Sequence, residues 1–493
     1  MKRRLSALAL ILCFLAGLLS GCGSSTQSGT TDAFKAAEAA GTAETGGEAS
    51  SDSASAVPTE TEYFTDGDYK DVSAETPNAT IRLEGDTGVL SDTTRGSSGS
   101  TVTITSKGIY RVTGVSEGVT ILINERNKSG NIYLLLDSVQ MENTDACIYV
   151  EAADKVILQC VGDSSLTSTA PEDAAVFSRD DLTLNGSAGL TISSGKHGIE
   201  GKDSVKITGA SLTVEAAGAG LKANDAVCID GGDTRITSGK DGVQVDSDAG
   251  DGYFYMASGA LTVQAGYDGI DVGTSEAAEY TGYIRLAGGT LDITAGGGSA
   301  YSKGDTSQKG LKCDGDIFLE GTGLSVSSAD DAVNGGGAFS MGGGTASLSS
   351  SDDGVSVSGN LLLSGGELTV SKSYEGLEAQ EISVSGGSLR VYASDDGVNA
   401  AGGSDSGSAE QGPWGGSGSG VITVSGGSVY VNADGDGLDS NGSIYVTGGT
   451  IIVEGPSNSG NGALDKGRRS GLRPQRHRRH GAGPGYGGYG GEF

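Results

Sequence analysis

Ala329-Asp330-Asp331-Ala332-Val333, Ser351-Asp352-Asp353-Gly354-Val355, Ser373-Tyr374-Glu375-Gly376-Leu377 and Ser394-Asp395-Asp396-Gly397-Val398 are four versions of one phrase. Their Gly or Ala position recurs after 22, 22 and 21 residues. A fixed period of that size means stacked supersecondary units and not one closed globule. Within a unit, Val355 and Val357, Leu361 and Leu363, then Leu368 and Val370 alternate with small polar residues, and Ser364-Gly365-Gly366 marks a turn. Such short alternating runs between Gly turns are strand periodicity. At ~3.3 Å per residue, a unit of this length has no room for a helix beside its strands. The expected fold is all-β: a right-handed parallel β-helix with coils of about 22 residues and three short strands per coil. The left-handed hexapeptide form competes, but no six-residue sub-period is visible.

Stacking at ~4.8 Å per coil predicts two columns of carboxylates. Asp331, Asp353, Glu375 and Asp396 form one; Asp330, Asp352 and Asp395 form the other. Unit charges ~5 Å apart repel by roughly 3 kcal/mol at an effective dielectric of 20, and by under ~1 kcal/mol in water. A cation between them relieves this, and oxygen ligands on rigid turns suit Ca²⁺. Plain turn chemistry of Asp and Gly is the alternative. Candidate ligands are Asp241, Asp268, Asp330, Asp331, Asp352, Asp353, Asp395 and Asp396. The densest acidic turn, Asp434 to Gly442, adds Asp434, Asp436 and Asp439. It is not an EF-hand, because the Glu at loop position 12 is missing and strands flank it.

In chain order, residues 1–22 read as an export signal. Lys2, Arg3 and Arg4 precede the apolar Leu5 to Leu18, too short for a permanent span. Leu19-Ser20-Gly21-Cys22 matches a bacterial lipobox, so Cys22 is the expected lipidation site and membrane anchor. Residues 23–60 read as a flexible Ser/Thr/Ala/Gly/Glu tether, 61–173 as irregular first coils and a cap, and 174–465 as the regular coils. Segments Ser275–Gly282, Gly298–Gln308 and Gly402–Gly420 are insertions between coils, natural places for recognition. Residues 466–493, with six Arg and a Gly/Tyr end, carry no strand pattern and read as a disordered basic tail.

The formal net charge is −31; residues 1–22 and 466–493 are basic, which leaves residues 23–465 at −40. Such a body repels nucleic acid and anionic lipid, and meets anionic polymers only through bridging cations. No P-loop or dinucleotide fingerprint occurs, so no nucleotide is expected. The regular coils hold one histidine, His197, which leaves little for a Ser-His-Asp triad or a histidine zinc site. Cys147, Cys160, Cys228 and Cys313 lack C-x-x-C spacing and sit in strand contexts, as buried thiols do. Candidate carbohydrate contacts are Tyr267, Tyr374 and Trp414, with Lys222 and Lys312 beside the acidic columns. A lysine near Ca²⁺ can serve as a base, whereas a plain ion pair is the simpler role.

Ala174-Ala175-Val176-Phe177-Ser178-Arg179-Asp180-Asp181-Leu182-Thr183, Gly201-Lys202-Asp203-Ser204-Val205, and the Asp434–Gly442 turn followed by Val446-Thr447-Gly448-Gly449-Thr450 resemble bacterial lipoproteins with carbohydrate-binding domains. The resemblance covers roughly residues 78–465. It implies a pectate-lyase-like right-handed β-helix, bound Ca²⁺, and binding of plant cell-wall polysaccharide, including cellulose and polygalacturonate. Asn461 to Asp465 fits the family pattern; Lys466 onward departs from it. The leading expectation is a lipid-anchored module on the outer face of the cell membrane, binding polysaccharide on a Ca²⁺-loaded β-helix. The alternatives are a Ca²⁺-dependent pectate lyase, with Lys312 as base and Asp330, Asp331, Asp352 and Asp353 on the metal, and a surface adhesin.

Overall fold

The computed structural model describes residues 63–273, 282–400, 420–456 and 461–466. Cys22, the expected signal and tether, Trp414 and the basic tail beyond Lys466 lie outside the described residues. The fold is an all-β parallel solenoid. In one coil, Val355–Val357, Leu361–Leu363 and Glu367–Lys372 each pair in parallel with the strand 22 residues before: Val333 with Val355, Phe339 with Leu361, Thr345 with Glu367. The Val355-type strands build a 16-stranded sheet. The other two stacks merge into one 26-stranded sheet, since Ala226–Ser238 and Tyr253–Ala265 run unbroken through the corner between them. Among the described residues, the antiparallel strand pairs are confined to the N-terminal end, at Ala79–Gly85 with Thr87–Leu90 and Gly96–Ser97 with Thr101–Ile104.

Alternation sets the core. Val355, Val357, Leu361, Leu363, Leu368 and Val370 point inward and are buried, while their neighbours face out. Stacked coils leave little space at the turn. A Cβ on Gly376 would stand 2.2 Å from both Val391 Cγ1 and the Gly397 carbonyl oxygen. That close approach, with no positive φ involved, excludes even the Cβ of alanine at Gly376 while the coils stay stacked this way. Cys147, Cys160, Cys228 and Cys313 are free and buried, and burial pushes each thiol up to about 12.

The N-terminal segment crosses the outer face of the Leu361-type strand stack and runs against the direction of coil growth. Tyr63 stacks on Tyr255 at 3.5 Å between centroids and bonds the Tyr283 hydroxyl at 3.1 Å. Val72, further along the chain, packs on Ile109, Tyr133, Leu135 and Ile157 of much earlier coils. Between these ends Asp68 is fully buried. Its carboxylate accepts from Lys155 Nζ at 2.9 Å and Thr183 Oγ1 at 2.6 Å, and Lys206 Nζ lies 3.9 Å away. This strap spans many coils and fastens them together. It explains why Ile132 to Leu136 is apolar without alternation: both faces of that strand are covered.

Candidate functional site

The turn leading into the 16-stranded sheet carries the acidic phrase. Its residue just before the Gly or Ala repeats one hydrogen bond from coil to coil. Asp241 accepts from the backbone N–H of Asp268 at 3.1 Å, Asp331 from Asp353 at 3.2 Å, Asp353 from Glu375 at 3.0 Å and Asp396 from Asp436 at 2.6 Å. His197 does the same, its Nδ1 accepting from Ala219 N–H at 3.0 Å. Burial draws its pKa down to about 4, which keeps that nitrogen an acceptor. The column is therefore turn chemistry first: each side chain caps the turn above it.

The cost of stacking these acids is visible in their protonation. Burial, then the charges of Asp331 and Glu375, pushes Asp353 up to about 8. Burial likewise raises Glu375 to about 7, Asp396 to about 6 and Asp271 to about 7.

Three clusters bring carboxylate oxygens within 4.8 Å of one another: Asp241, Asp268 and Asp271; Asp330, Asp331 and Asp352; Asp396, Asp436 and Asp439. Ca²⁺–O distances of about 2.3–2.6 Å put opposed ligands about 5 Å apart, so oxygens this close together are within reach of one shared ion. In the first cluster Lys312 Nζ lies 3.0 Å from Asp271 and 3.7 Å from Asp268. In the second, Lys303 reaches Asp352 at 3.0 Å and Asp330 at 3.4 Å, and Lys309 pairs with Asp331 and Asp330. Both clusters thus carry their own ammonium countercharge. The third has no lysine or arginine bonded to it among the described residues. Beside it Asn399, in register with Asp439 on the next strand, is 8% exposed and leaves its Oδ1 without a partner. Its Nδ2 donates to Glu375 at 2.9 Å. The donor set of the third cluster fits a hard cation; the first two fit one only where the lysines give way.

The other sequence candidates fall on the same ridge. Tyr267 and Tyr374 occupy one turn position; Gln308, Asp330 and Asp352 hold it in the coils between, so the rings stand four coils, ~19 Å, apart. Tyr374 is 48% exposed, and its hydroxyl engages Asp395. Lys222 lies 3.9 Å from Asp246. For Lys312, burial works to lower the pKa, but Asp271 and Asp268 outweigh it and the net shift is upward. An ammonium so held is a poor base, so the ion-pair role is the one the geometry favours. Sequence reading missed Asp271, which shares its outward strand position with Lys312 and Asp439. It also missed Lys303, which comes from a non-repeating insertion, and Lys309, which holds the column position just before Gly310.

A family model for carbohydrate-binding domain-containing proteins matches residues 98–354 and 355–462. A carbohydrate-binding domain-containing protein of Acetivibrio thermocellus is 33% identical over 124 residues. That match takes in 22% of this chain and 43% of the relative, so less than half of the relative's length is spanned. A solved structure of the polysaccharide lyase-like protein from C. thermocellum, a gadolinium derivative, shares 31% identity over 44% of this chain and 94% of its own, with a TM-score of 0.38.

Proposed function

Since the chain belongs to the family of carbohydrate-binding domain-containing proteins, we propose that its solenoid is a polysaccharide-binding module and that the acidic ridge is its binding face. The observation that carries this is the third cluster: Asp396, Asp436 and Asp439 converge within 4.8 Å with no bonded lysine or arginine among the described residues. Ca²⁺ held there by these carboxylates, with Asn399 beside them, would leave coordination positions for a ligand's own oxygens. A net-negative body needs such a bridge to hold a polyuronate. Tyr267 and Tyr374 offer ring faces along the same ridge for sugar stacking. With Cys22 acylated, the module would stand on the outer face of the cell membrane and present plant cell-wall polysaccharide such as polygalacturonate. The protonated, ion-paired state of Lys312 favours binding without cleavage.

The test is retention of the full chain on immobilised polygalacturonate, with absorbance from unsaturated uronate ends followed in parallel. Retention in Ca²⁺ should drop at least ~10-fold in chelator, a change of about 1.4 kcal/mol. The double substitution Asp436→Asn/Asp439→Asn should match that loss in Ca²⁺, and the absorbance trace should stay flat. Equal retention with and without chelator would remove the bridging role. A rising trace abolished by Lys312→Ala would replace the binding module with a lyase.

A further inference from the structure

The last coil of the solenoid is open. Its strands Ser443–Val446, Thr450–Glu454 and Leu464–Lys466 each pair in parallel with the coil before. Among the described residues no strand pairs with them on the far side. Their outer N–H and C=O groups form a template for further strands. The core is cut open with them. Leu464 is in register with Leu438, and Val446 with Val424. The earlier two are 1% exposed, the later two 54% and 53%. With Tyr445 and Ile452, this coil holds four of the nine exposed large apolar side chains among the described residues, a concentration that marks an interaction surface. At the opposite end the chain closes its own edges, folding back in antiparallel pairs at Ala79–Gly85 with Thr87–Leu90 and Gly96–Ser97 with Thr101–Ile104.

A second copy of the open end supplies what covers it. A two-fold axis perpendicular to the solenoid reverses the sense of winding, so each edge meets its partner antiparallel. A coil climbs one strand spacing, ~4.8 Å, per turn. Of the axes that bisect a side, only the one through Thr450–Glu454, the middle strand of the last coil, therefore leaves the same gap at all three sides. On that axis Ile452 faces its own copy and Ile451 faces Val453, both of which pack on the core, so inward residues meet inward residues. The charges on the three strands are Glu454, Asp465 and Lys466. Glu454 falls opposite Thr450, and the other two fall opposite the uncharged Ser443–Val446, so no like charges meet. A coil of about 22 residues has a perimeter of ~70 Å and, with its outward side chains, an end area on the order of 600 Å². Two such ends bury on the order of 1,200 Å², above the ~1,000 Å² that a specific interface needs. Residues 467–493 contain Pro474 and Pro484 and no alternating apolar run, so they lack the pattern of a covering strand.

We propose that the C-terminal end of the solenoid is a homodimer interface, in which a second copy closes all three open edges across a two-fold axis through Ile452. The N-terminal ends then stand at the far poles, closed by their own antiparallel strands, and assembly stops at two. The inference goes beyond the polysaccharide and Ca²⁺ reading, and either can fail without the other.

The experiment is sedimentation velocity of the full chain in chelator over a range of concentrations. The parent chain should be a dimer at micromolar concentration and form no larger species. Ile452→Lys sets two ammonium groups face to face on the axis and should raise the dimer dissociation constant at least ~10-fold; Ile452→Glu should do the same. Because Ile452 is half exposed and points outward, the circular dichroism of each variant should match the parent. An equimolar mixture of the two variants should dimerise again, since lysine then faces glutamate. A parent chain that stays monomeric would overturn the proposal and leave this end to another cover, residues 467–493 included. Species that keep growing with concentration would overturn closure by a two-fold axis. A dimer indifferent to Ile452→Lys, or a mixture of folded variants that stays monomeric, would overturn it equally.

Discussion

Asp68→Ala is expected to be the most damaging single substitution in the strap, at about 3–5 kcal/mol. The carboxylate is fully buried and faces Lys155 and Lys206, each only 8% exposed. Thr183 and Thr65 complete its shell at 2.6 Å and 3.0 Å. Burial alone would raise the Asp68 pKa, yet the bonds from Thr183 and Lys155 hold it below the usual carboxylate range. Removing it leaves two ammonium groups facing one another in a covered site, with Asp181 3.9 Å from Lys155 as the nearest relief. The strap then loses its central fastening, and the Tyr63–Tyr255 stack and the Val72 cluster are held from their ends alone. Urea denaturation of the full chain, with limited proteolysis between residues 63 and 72, measures this. A loss below ~1 kcal/mol with no new cleavage would mean that the strap is an ornament on a self-sufficient solenoid.

In chelator, stability is expected to fall by an amount on the order of 2 kcal/mol as pH rises from 5 to 8. The sign follows from the carboxyls of the ridge. Asp353, buried and facing Asp331, Asp352 and Glu375, is pushed up to about 8 in the fold, well above the ordinary carboxylate value of 3.8. Glu375 stands at about 7 and Asp396 at about 6. Each folded-state pKa is raised, so across this window the folded chain binds more protons than the unfolded one. The stabilisation is present at the low end and is lost as pH climbs through the folded values. Partial solvation screens the effect and keeps it well below the sum of the shifts. Saturating Ca²⁺ should flatten the part owed to Asp396. The readout is the urea midpoint against pH, with and without Ca²⁺. A midpoint that rises from pH 5 to 8 in chelator would contradict the stacked-acid account.

The repeat made the solenoid legible. Once Gly354, Gly376 and Gly397 are in phase, the strands and the carboxylate columns follow from period alone. The column's first job was less visible. That Asp353 caps the turn of Glu375 depends on backbone direction in the next coil, which spacing does not convey. The countercharges were hidden for a different reason. Lys303 sits in an insertion with no counterpart in other coils, so stacking logic could not place it against Asp330 and Asp352; Lys309 holds the column position just before Gly310, where its lysine replaces the usual acid and meets Asp331 of the next coil. The strap was hidden by distance: Tyr63 meets Tyr283 across 220 residues, and Tyr63 to Val72 has no period to read. Its trace was present in the unbroken apolar run Ile132 to Leu136, since a strand covered on one face would have alternated.

The most direct measurement is calorimetric titration of the metal-free full chain with Ca²⁺ at pH 8, beside the Asp436→Asn/Asp439→Asn variant. Saturable uptake by the parent chain, with the tightest phase missing from the variant, is the predicted result. Uptake of no Ca²⁺, or the same isotherm from both proteins, would contradict a cation site at Asp396, Asp436 and Asp439 and leave the ridge as turn chemistry alone.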